Sequence, residues 1–482
     1  MSASRPVTVT NFGANTTIRP AVCLAPRSET EVLDVLRAHR GRRIRAVGRL
    51  HSWSEAPVCD DVLLDLQHLD SVAVHADDES PWAEVGAGCQ IKRLVRELQR
   101  SGHTTMSLGL IDEQTVAGAA ATGTHGSGRH SLSHYVLAVR LAGYDPHTGE
   151  PTIREFTSGP ELRAARCSLG SLGIVTSLRV PIRRQYQIEE HFRRYDRLEQ
   201  VLEREADYDL QQFFLVPWRW DFVAQHRREV DRPRSWLAPL YRLYWAAGMD
   251  VGLHVIVGLL ARWLPGFCMR LFFRRVLPAL VPRGWKVIDR SDRQLTMQHE
   301  LFRHIEIEVF VTRSRLAEAI AFVVWLLRHA GGETVNPPDR VRERLSTEEW
   351  NRLDAVKGRY LHHYPICIRK VLPDDTLISM ASGGDEPYCA LSFISYAHPS
   401  TRDGYFEFAR ALASAIAAQF DGRPHWGKFC PLPAAELARL YPGLAEFAAI
   451  QKQTDPADVF GNEWVRGIFA AARPVAVEVP GR

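Results

Sequence analysis

The chain has 482 residues, of which 45% are apolar and 24% charged, so it is long enough to form two or three globular domains. Its net charge of +4 is small for this length, and it has no basic tail, which argues against a nucleic-acid partner. The eight cysteines include no CxxC pair, so we expect no metal site and no disulfide framework. The polar N-terminus has no apolar signal core, which predicts a cytoplasmic protein.

The first 185 residues alternate short strands and helices. Ser28 and Glu31 form a capping box that predicts a helix burying Val32, Leu33, Val35 and Leu36. Apolar periodicity predicts a second helix that begins near Ile91. Strands are predicted over 43–47, 62–66, 83–85, 135–141 and 173–178. This pattern is typical of an α+β domain whose strand ends present glycine-rich turns.

Residues 186–420 are richer in arginine and aromatic residues and poorer in glycine, which indicates a second domain. Strands are predicted over 304–311 and 366–371, and a helix over 315–328. The final segment, 421–482, reads as loops and helices.

One apolar stretch, residues 236–282, is interrupted by arginines. Its longest uncharged run, 251–261, is far shorter than the ~20 residues needed to cross a bilayer. Basic residues beside Leu271, Phe272 and Phe273 fit a helix lying in a membrane interface. A pair of helices packed on the core of the second domain explains the same pattern, and the sequence leaves both interpretations open.

Two turns carry the strongest functional signal: residues 47–54 read VGRLHSWS and residues 122–128 read TGTHGSG. Glycine lets backbone N–H groups converge on an anion, and Ser and Thr hydroxyls add further donors. Neither turn has the GxxxxGK[ST] spacing of a nucleotide phosphate loop or the strand–GxGxxG–helix spacing of a nicotinamide site. The pattern favours a flavin held by loops, with His51 beside it.

These residues resemble the aldonolactone and alditol oxidase family, the L-gulonolactone oxidase and D-arabinono-1,4-lactone oxidase group of the vanillyl-alcohol-oxidase-type FAD-linked oxidoreductases. The resemblance is carried by both turns and by further segments: SLG at 107–109, TVAG at 115–118, SLGSLGIV at 168–175, HWGK at 425–428, LYP at 440–442, and Asp455-Pro456 with Phe460 and Asn462.

The resemblance implies an α+β fold in three parts. Residues 1–185 would form a two-subdomain FAD-binding domain of the PCMH type. Residues 186–420 would form an α+β substrate (cap) domain with an antiparallel sheet and an apolar insertion at about 236–282. Residues 421–482 would return to the FAD domain. The apolar insertion is similar to one in membrane-associated lactone oxidases of this family.

The family also implies FAD as cofactor and places His51 where its histidine is joined covalently to the flavin. A histidine that only hydrogen-bonds the loop, with FAD bound non-covalently, is the alternative. Leu50 departs from the glycine that is usual in the family. The cofactor contacts that the resemblance implies are Gly48, Arg49, Leu50, His51, Ser52, Asp112, Thr115, Gly118, Thr122, Gly123, Thr124, Gly126, Ser127, Ile174 and Val175.

For catalysis the family uses a Glu-x-Arg pair on a strand and a lysine from the HWGK-like segment. Arg369 and Lys428 match this pattern, but Cys367 occupies the glutamate position. A thiol is a poor base unless its pKa is lowered, and Arg369 is close enough in sequence to do so. The resemblance also implies that Ser107 reaches the substrate, whereas the polar position near Ala390 or Ser392 has no His or Asn, so that His362 or His363 would have to stand in.

The family implies an FAD-dependent oxidoreductase that oxidises a CH–OH group of a sugar lactone, alditol or related polyol by hydride transfer to flavin N5. Oxygen or another acceptor would reoxidise the flavin, and the insertion predicts peripheral contact with a membrane on its cytoplasmic face. Cys367 motivates an alternative: a flavin-binding, membrane-associated protein with altered or lost sugar-oxidase chemistry.

Overall fold

The computed structural model describes residues 7–282, 284–297, 303–396, 398 and 402–472. The first region contains eleven strands among these residues: β1 Val9–Thr10, β2 Thr17–Ile18, β3 Val22–Leu24, β4 Ile44–Val47, β5 Val62–Asp65, β6 Val72–His75, β7 Trp82–Gly86, β8 His103–Thr105, β9 Ala138–Tyr144, β10 Pro151–Phe156 and β11 Ile174–Arg184. Its helices are α1 Glu29–Ala38, α2 Ile91–Arg100, α3 Val116–Ala121, α4 Leu132–Tyr135 and α5 Gly159–Arg166.

The first region is built from two main sheets, which gives it two subdomains. A parallel sheet has the order β3-β5-β4, and a larger antiparallel sheet has the order β10-β9-β11-β7-β6, with β8 paired to β11. The predicted capping box is confirmed, because the Ser28 hydroxyl accepts a hydrogen bond from the Glu31 amide at the start of α1. The strand predicted over 135–141 begins later, at Ala138, because α4 occupies 132–135.

The second region contains the strands β12 Gln187–Tyr195, β13 Gln212–Val216, β14 Asp221–Val230, β15 Val287–Arg290, β16 Ile305–Thr312, β17 Ile366–Val371, β18 Tyr388–Ser395 and β19 Arg423–Pro424. Its helices are α6 Leu198–Leu202, α7 Ala238–Tyr244, α8 His254–Trp263, α9 Gly266–Leu271, α10 Leu277–Leu280, α11 Ser291–Leu295, α12 Leu316–Ala330, α13 Asp339–Arg344, α14 Thr347–Ala355 and α15 Asp403–Phe420. π-Helical turns join α7 to α8 and α9 to α10.

These eight strands form one antiparallel sheet in the order β15-β12-β14-β13-β17-β18-β16-β19. Helices α12 and α15 pack on one side of it and bury long apolar faces. Because side chains alternate along a strand, the other face presents a second set of residues to the FAD domain and to the insertion. The antiparallel cap sheet expected from the sequence is therefore present.

The last segment returns to the first region and contains α16 Ala434–Leu440, α17 Leu444–Thr454 and α18 Glu463–Ala472. The Gly427 carbonyl accepts a hydrogen bond from the Trp53 amide, and the Val459 carbonyl accepts one from Ile44. The boundary differs slightly from the expected one, since β19 lies within 421–482 but pairs with β16 in the cap sheet.

The insertion folds as two helical limbs packed on the cap domain. The first limb runs without a break from Ala238 to Trp263, which makes 26 residues with a hydropathy of 1.5 in its most apolar window. By length and composition this helix could cross a membrane. It is much longer than the uncharged run 251–261 on which the sequence interpretation relied. Only 19% of that window is buried, yet Tyr241, Leu253 and Val257 pack into a core with Met269 and Phe273 of the second limb.

Candidate active site

A cleft in the first region is formed by the turn that follows β4 and by the loops around it. We call it the cofactor cleft. Nine residues expected to bind the cofactor line it: Gly48, Arg49, Leu50, His51, Ser52, Thr115, Gly118, Thr122 and Val175. The guanidinium of Arg45 joins three of its walls, because it donates to the carbonyl oxygens of Leu169, Gly170 and Phe460.

The geometry of the turn explains two of its residues. A Cβ at Gly48 would lie 2.3 Å from the Thr115 hydroxyl oxygen, so only glycine lets the turn approach the start of α3. Leu50 adopts φ +55, a left-handed conformation that costs a side-chain-bearing residue about 1–2 kcal/mol. The turn therefore keeps the backbone that the family's glycine would favour, in spite of the leucine.

His51 is held in the cleft as a neutral imidazole. Its ring stacks on Phe12 with centroids 4.7 Å apart, and the side chain is buried. Burial, together with the positive charges of Lys428 and Arg49, lowers the pKa of His51 to about 4. Its Nδ1 is buried without a hydrogen-bond partner, an arrangement that leaves a nucleophilic nitrogen for a group bound in the cleft. The residues present fit a flavin with His51 at its edge.

The remaining cofactor residues fall into two groups. Asp112 and Thr124 line a second, larger cavity beside the cleft. Gly123, Gly126, Ser127 and Ile174 are not among the described residues that line either space. The Ser127 hydroxyl instead donates to the Gln211 carbonyl at 2.5 Å, and a Cβ at Gly126 would lie 2.4 Å from the Leu108 carbonyl oxygen. The contacts of these four residues with FAD stay a prediction.

The larger space, which we call the substrate cavity, has a volume of about 1020 Å³ and lies between the cap sheet, the insertion and the first region. Gln114 lines both the cofactor cleft and this cavity, so the two spaces adjoin. The end of the cavity nearest the cleft is polar and is lined by His125, His304, Glu306, Glu308, Cys367, Arg369, Ser392, His425 and Lys428.

Two buried ion pairs dominate this polar end. Arg369 Nη2 lies 2.5 Å from Glu308 Oε1. Lys428 pairs with Glu306, which also accepts a hydrogen bond from the Ser392 hydroxyl. Burial alone would raise the pKa of Glu308, but the charge of Arg369 and the proximity of His125 outweigh it and hold that pKa well below its usual range. Arg369 and Lys428, both expected to be catalytic, therefore lie at one end of one cavity.

Cys367 is brought to the same wall, but its chemistry differs from the expectation. Its side chain lines the cavity beside Arg369. Burial raises the pKa of Cys367 to about 11, and the opposing effect of Arg369 is smaller. The idea that Arg369 activates this thiol as a base is therefore wrong, because the group stays protonated at neutral pH.

Two histidines complete the polar end. His125 Nδ1 donates to the Gly126 carbonyl, so its Nε2 faces Glu308 Oε1 at 3.4 Å. His425 Nδ1 accepts the Gly427 amide. Ligand atoms of His125, Glu308 and His425 lie within 4.8 Å of one another, a grouping that could hold a metal ion. Arg369 already supplies the positive charge beside Glu308, so the charge balance favours an ion-pair cluster.

The far end of the substrate cavity is mostly apolar and lies beneath the insertion. Strands β12, β13 and β14 supply one wall, and the insertion supplies the other. The apolar lining residues are Phe192, Phe214, Val216, Val223, Trp245, Val251, Leu253, Leu277 and Val281. Charged residues such as Arg194, Arg219 and Asp221 line part of the same region, and Arg219 pairs with Asp221.

Three expected participants do not line this cavity among the described residues. The Ser107 hydroxyl is buried without a hydrogen-bond partner, and its role at the substrate stays a prediction. His362 bonds to the Tyr360 hydroxyl, and His363 Nε2 accepts the Tyr396 amide. Both histidines are buried in the cap core, so neither stands in for the missing polar residue.

The sequence interpretation missed Glu306 and Glu308, although a signal was present. Residues 304–309 read HIEIEV, in which His304, Glu306 and Glu308 alternate with apolar residues. In a strand this spacing places all three on one face. Charged residues on a strand buried on both faces are expensive unless they are paired, so the pattern indicates a functional wall.

Comparison with known proteins agrees with this architecture. Residues 181–468 match the family profile described as D-arabinono-1,4-lactone oxidase, and residues 20–145 match that of the FAD binding domain. A relative named long-chain alcohol oxidase, from an uncultured marine euryarchaeote, is 53% identical over 96% of this chain and 97% of its own.

More distantly related proteins match nearly the whole chain. An L-gulono-1,4-lactone dehydrogenase of Mycobacterium tuberculosis is 27% identical over 95% of this chain and 98% of its own. A solved structure entitled solvent-stable cholesterol oxidase superposes with a TM-score of 0.76 at 16% identity, covering 96% of this chain and 97% of that one. At that identity the likeness shows the fold alone.

Proposed function

Because the chain belongs to the D-arabinono-1,4-lactone oxidase family and is an FAD-dependent oxidoreductase that acts on CH–OH groups, we propose that its substrate is an alcohol with a long aliphatic chain. The observation that carries this proposal is the two-ended substrate cavity. Its polar end adjoins the cofactor cleft, and its apolar end extends beneath the insertion.

The polar end suits the reacting hydroxyl group. FAD, when bound, supplies the hydride acceptor. Arg369 and Lys428 offer N–H donors on one wall, where they stabilise negative charge that develops on the substrate oxygen. Each cation is itself paired with a buried carboxylate, so the wall stays close to neutral before the substrate enters. His125 and His425 line the same end of the cavity, and His51 lines the adjoining cofactor cleft.

The apolar end suits a hydrocarbon chain better than a sugar. A sugar hydroxyl held against the apolar side chains Phe192, Phe214 and Val223 would lose its hydrogen bonds to water, at a cost of about 1–3 kcal/mol for each one that finds no polar partner on the cavity wall. A methylene group placed there gains about 0.8 kcal/mol. A cavity of about 1020 Å³ also exceeds what a single sugar ring fills. The 53% identical long-chain alcohol oxidase supports the same choice.

The test is a series of straight-chain primary alcohols of increasing length, mixed anaerobically with the flavin-loaded protein while flavin bleaching is followed. We expect kcat/KM to rise about three- to fourfold per methylene until the cavity is filled. Equal rates with short and long alcohols would contradict the proposal. Parallel assays with oxygen and with an artificial dye identify the electron acceptor.

A sugar lactone or alditol is the second candidate, and the family profile over residues 181–468 favours it. The same bleaching assay with aldonolactones, alditols and a sterol distinguishes the classes. Bleaching by no alcohol of any class would support the alternative that the chemistry has been lost, although Arg369 and Lys428 argue against it.

We propose further that FAD is joined covalently to His51. The neutral ring and the unpartnered, buried Nδ1 in the cleft support this link. Acid precipitation of the holoprotein would leave the yellow colour in the pellet, and the His51→Ala variant would release it to the supernatant. Free flavin from the unmodified protein would overturn the covalent link and leave the cofactor assignment intact.

The insertion supports a proposed contact with a membrane on its cytoplasmic face. Trp236, Leu243, Trp263 and Phe267 are each more than 60% exposed on its outer side. The first limb lies along the cap domain and buries Leu253 against it, so lipid cannot surround the helix. This arrangement favours a helix lying in the interface, and Trp245, Val251 and Leu253 of the same limb line the substrate cavity.

A basic cluster surrounds the start of this limb. Glu189 and Asp289, both fully buried, are each shared by three basic side chains: Arg228, Arg232 and Lys286 around Glu189, and Arg234, Arg242 and Arg293 around Asp289. The surplus of positive charge favours anionic headgroups.

Co-sedimentation with phosphatidylcholine vesicles, with and without phosphatidylglycerol, tests this contact. We expect binding that increases with the anionic lipid and is lost in a Trp263→Ser/Phe267→Ser variant. Recovery of the unmodified protein in the supernatant with both kinds of vesicle would contradict the proposal.

A further inference from the structure

Strand β16 carries two buried carboxylates, Glu306 and Glu308, that face the cations of the polar end. We propose that Glu308 is the carboxylate that directs the Arg369 guanidinium toward the substrate, and that a carboxylate at position 367, two strands away in the same row, can replace it. The inference rests on the proposed function, because it concerns the wall that receives the substrate hydroxyl.

The register of the sheet places both positions in one row. Cys367 on β17 is directly opposite Ser392 on β18, and Ser392 is directly opposite Glu308 on β16. Residues opposite one another in neighbouring strands point to the same face. Strands lie about 4.8 Å apart, so the two positions are separated by about 10 Å across the row. Both side chains line the substrate cavity.

The small side chains of the row make the pairing of Arg369 with Glu308 possible. Ser392 and Cys367 leave space between β16 and β17, and Ala390 is opposite Arg369. Arg369 reaches across this space to Glu308 Oε1 at 2.5 Å. A larger residue at position 390 or 392 would block this path.

The surroundings of Glu308 keep it ionised and fixed. It is 1% exposed, and the charge of Arg369 outweighs burial in holding its pKa low. The His125 ring approaches the same oxygen at 3.4 Å. The Glu308 carbonyl also accepts the His425 amide, which ties β16 to the segment that carries Lys428.

Glu308 therefore acts as a positioning residue. It sets the direction of the Arg369 guanidinium, which is the group that meets the substrate oxygen. Glu306 makes the matching pair with Lys428 one position earlier on the same face. Without Glu308, Arg369 would lose its own carboxylate, and its guanidinium would turn toward Glu306, which is already paired with Lys428, or out of the cavity.

The experiment moves the carboxylate from β16 to β17. In the holoenzyme, Glu308→Gln should lower kcat/KM for the best alcohol about 100-fold and lower the melting temperature. Adding Cys367→Glu should restore the rate to within about tenfold and recover most of the lost melting temperature. The reason is that the new carboxylate lies two residues from Arg369 on the same face. The matched control, Glu308→Gln with Cys367→Ser, should restore neither.

Each outcome decides the inference. Failure of Cys367→Glu to restore either property would overturn it, as would a Glu308→Gln variant with unchanged rate and stability. Restored stability without restored rate would reduce Glu308 to a structural pair and would also overturn it. If the unmodified enzyme oxidises no alcohol but oxidises a sugar lactone, the proposed substrate fails, while the rescue can be measured with the lactone.

Discussion

The cofactor cleft and the substrate cavity adjoin at Gln114, yet they are built in different ways. The cleft is made by several turns, each of which is a short run of consecutive residues such as 48–52. One wall of the cavity is made by alternate residues of six strands, brought together by register. Local motifs specify each turn of the cleft, whereas pairing of distant strands specifies the cavity wall. Changes in the cleft should therefore alter flavin retention, and changes in the cavity should alter substrate handling.

The largest effect should come from the cavity. Arg369→Met removes a cation from the hydroxyl end and leaves Glu308 buried without its partner. We expect flavin reduction to slow about 100- to 1000-fold and the protein to lose about 3–5 kcal/mol of stability, while the flavin content per folded protein stays unchanged. Stopped-flow bleaching, denaturant unfolding and the flavin absorbance ratio measure the three quantities.

Arg183→Met is the matched control, since Arg183 pairs with Glu229 away from both spaces. It should leave the reduction rate unchanged. Loss of flavin from the Arg369→Met variant would contradict the assignment of flavin retention to the cleft and substrate handling to the cavity.

The next effect concerns pH and belongs to the cleft. The pKa of His51 falls from 6.5 to about 4 on folding, so folding favours the neutral ring. This contribution is fully present above pH 6.5 and is lost as the pH falls from 6.5 to 4. In flavin-free protein, we expect the unmodified chain to lose about 3 kcal/mol more than His51→Gln across that window. If urea unfolding gives both proteins the same change in the free energy of unfolding with pH, the buried neutral ring is contradicted.

A smaller effect should come from the apolar end of the cavity. Val223→Phe fills part of the space that we assign to the hydrocarbon chain. The preferred alcohol should become shorter by about three carbons, with short alcohols oxidised as before, and the chain-length series measures this shift. Val7→Phe makes the same change at a residue that is 44% exposed and should leave the series unaltered.

The smallest effect should come from Leu50→Gly. Glycine relieves the strain at φ +55 but adds freedom to the unfolded chain, so a net gain of about 0.5–1 kcal/mol is expected. Leu50→Ala keeps a Cβ and should not gain stability. Thermal unfolding distinguishes the two variants, and a destabilised glycine variant would show that the leucine side chain contributes packing that outweighs the strain.

Much of the fold could be predicted because its signals are local. The Ser28 cap and the strand β4 before the first glycine turn depend on short-range pattern and were expected within a few residues, whereas the turn at 122–128 follows helix α3 and not a strand end. The start of β9 was wrong because a short helix, α4, precedes it. FAD binding and the family followed from motifs spread over the chain.

The sequence by itself determined the cofactor class and the α+β fold, and it indicated Arg369 and Lys428 as candidate site residues. Only the tertiary structure decided that the Cys367 thiol is buried with a raised pKa, that Glu306 and Glu308 occupy the same wall, and that the insertion lines the apolar end of the substrate cavity. The reason is physical: a turn is specified by neighbours in the chain, whereas an ion pair such as Arg369–Glu308 spans 61 residues. It exists only after the strands between them have paired in one register.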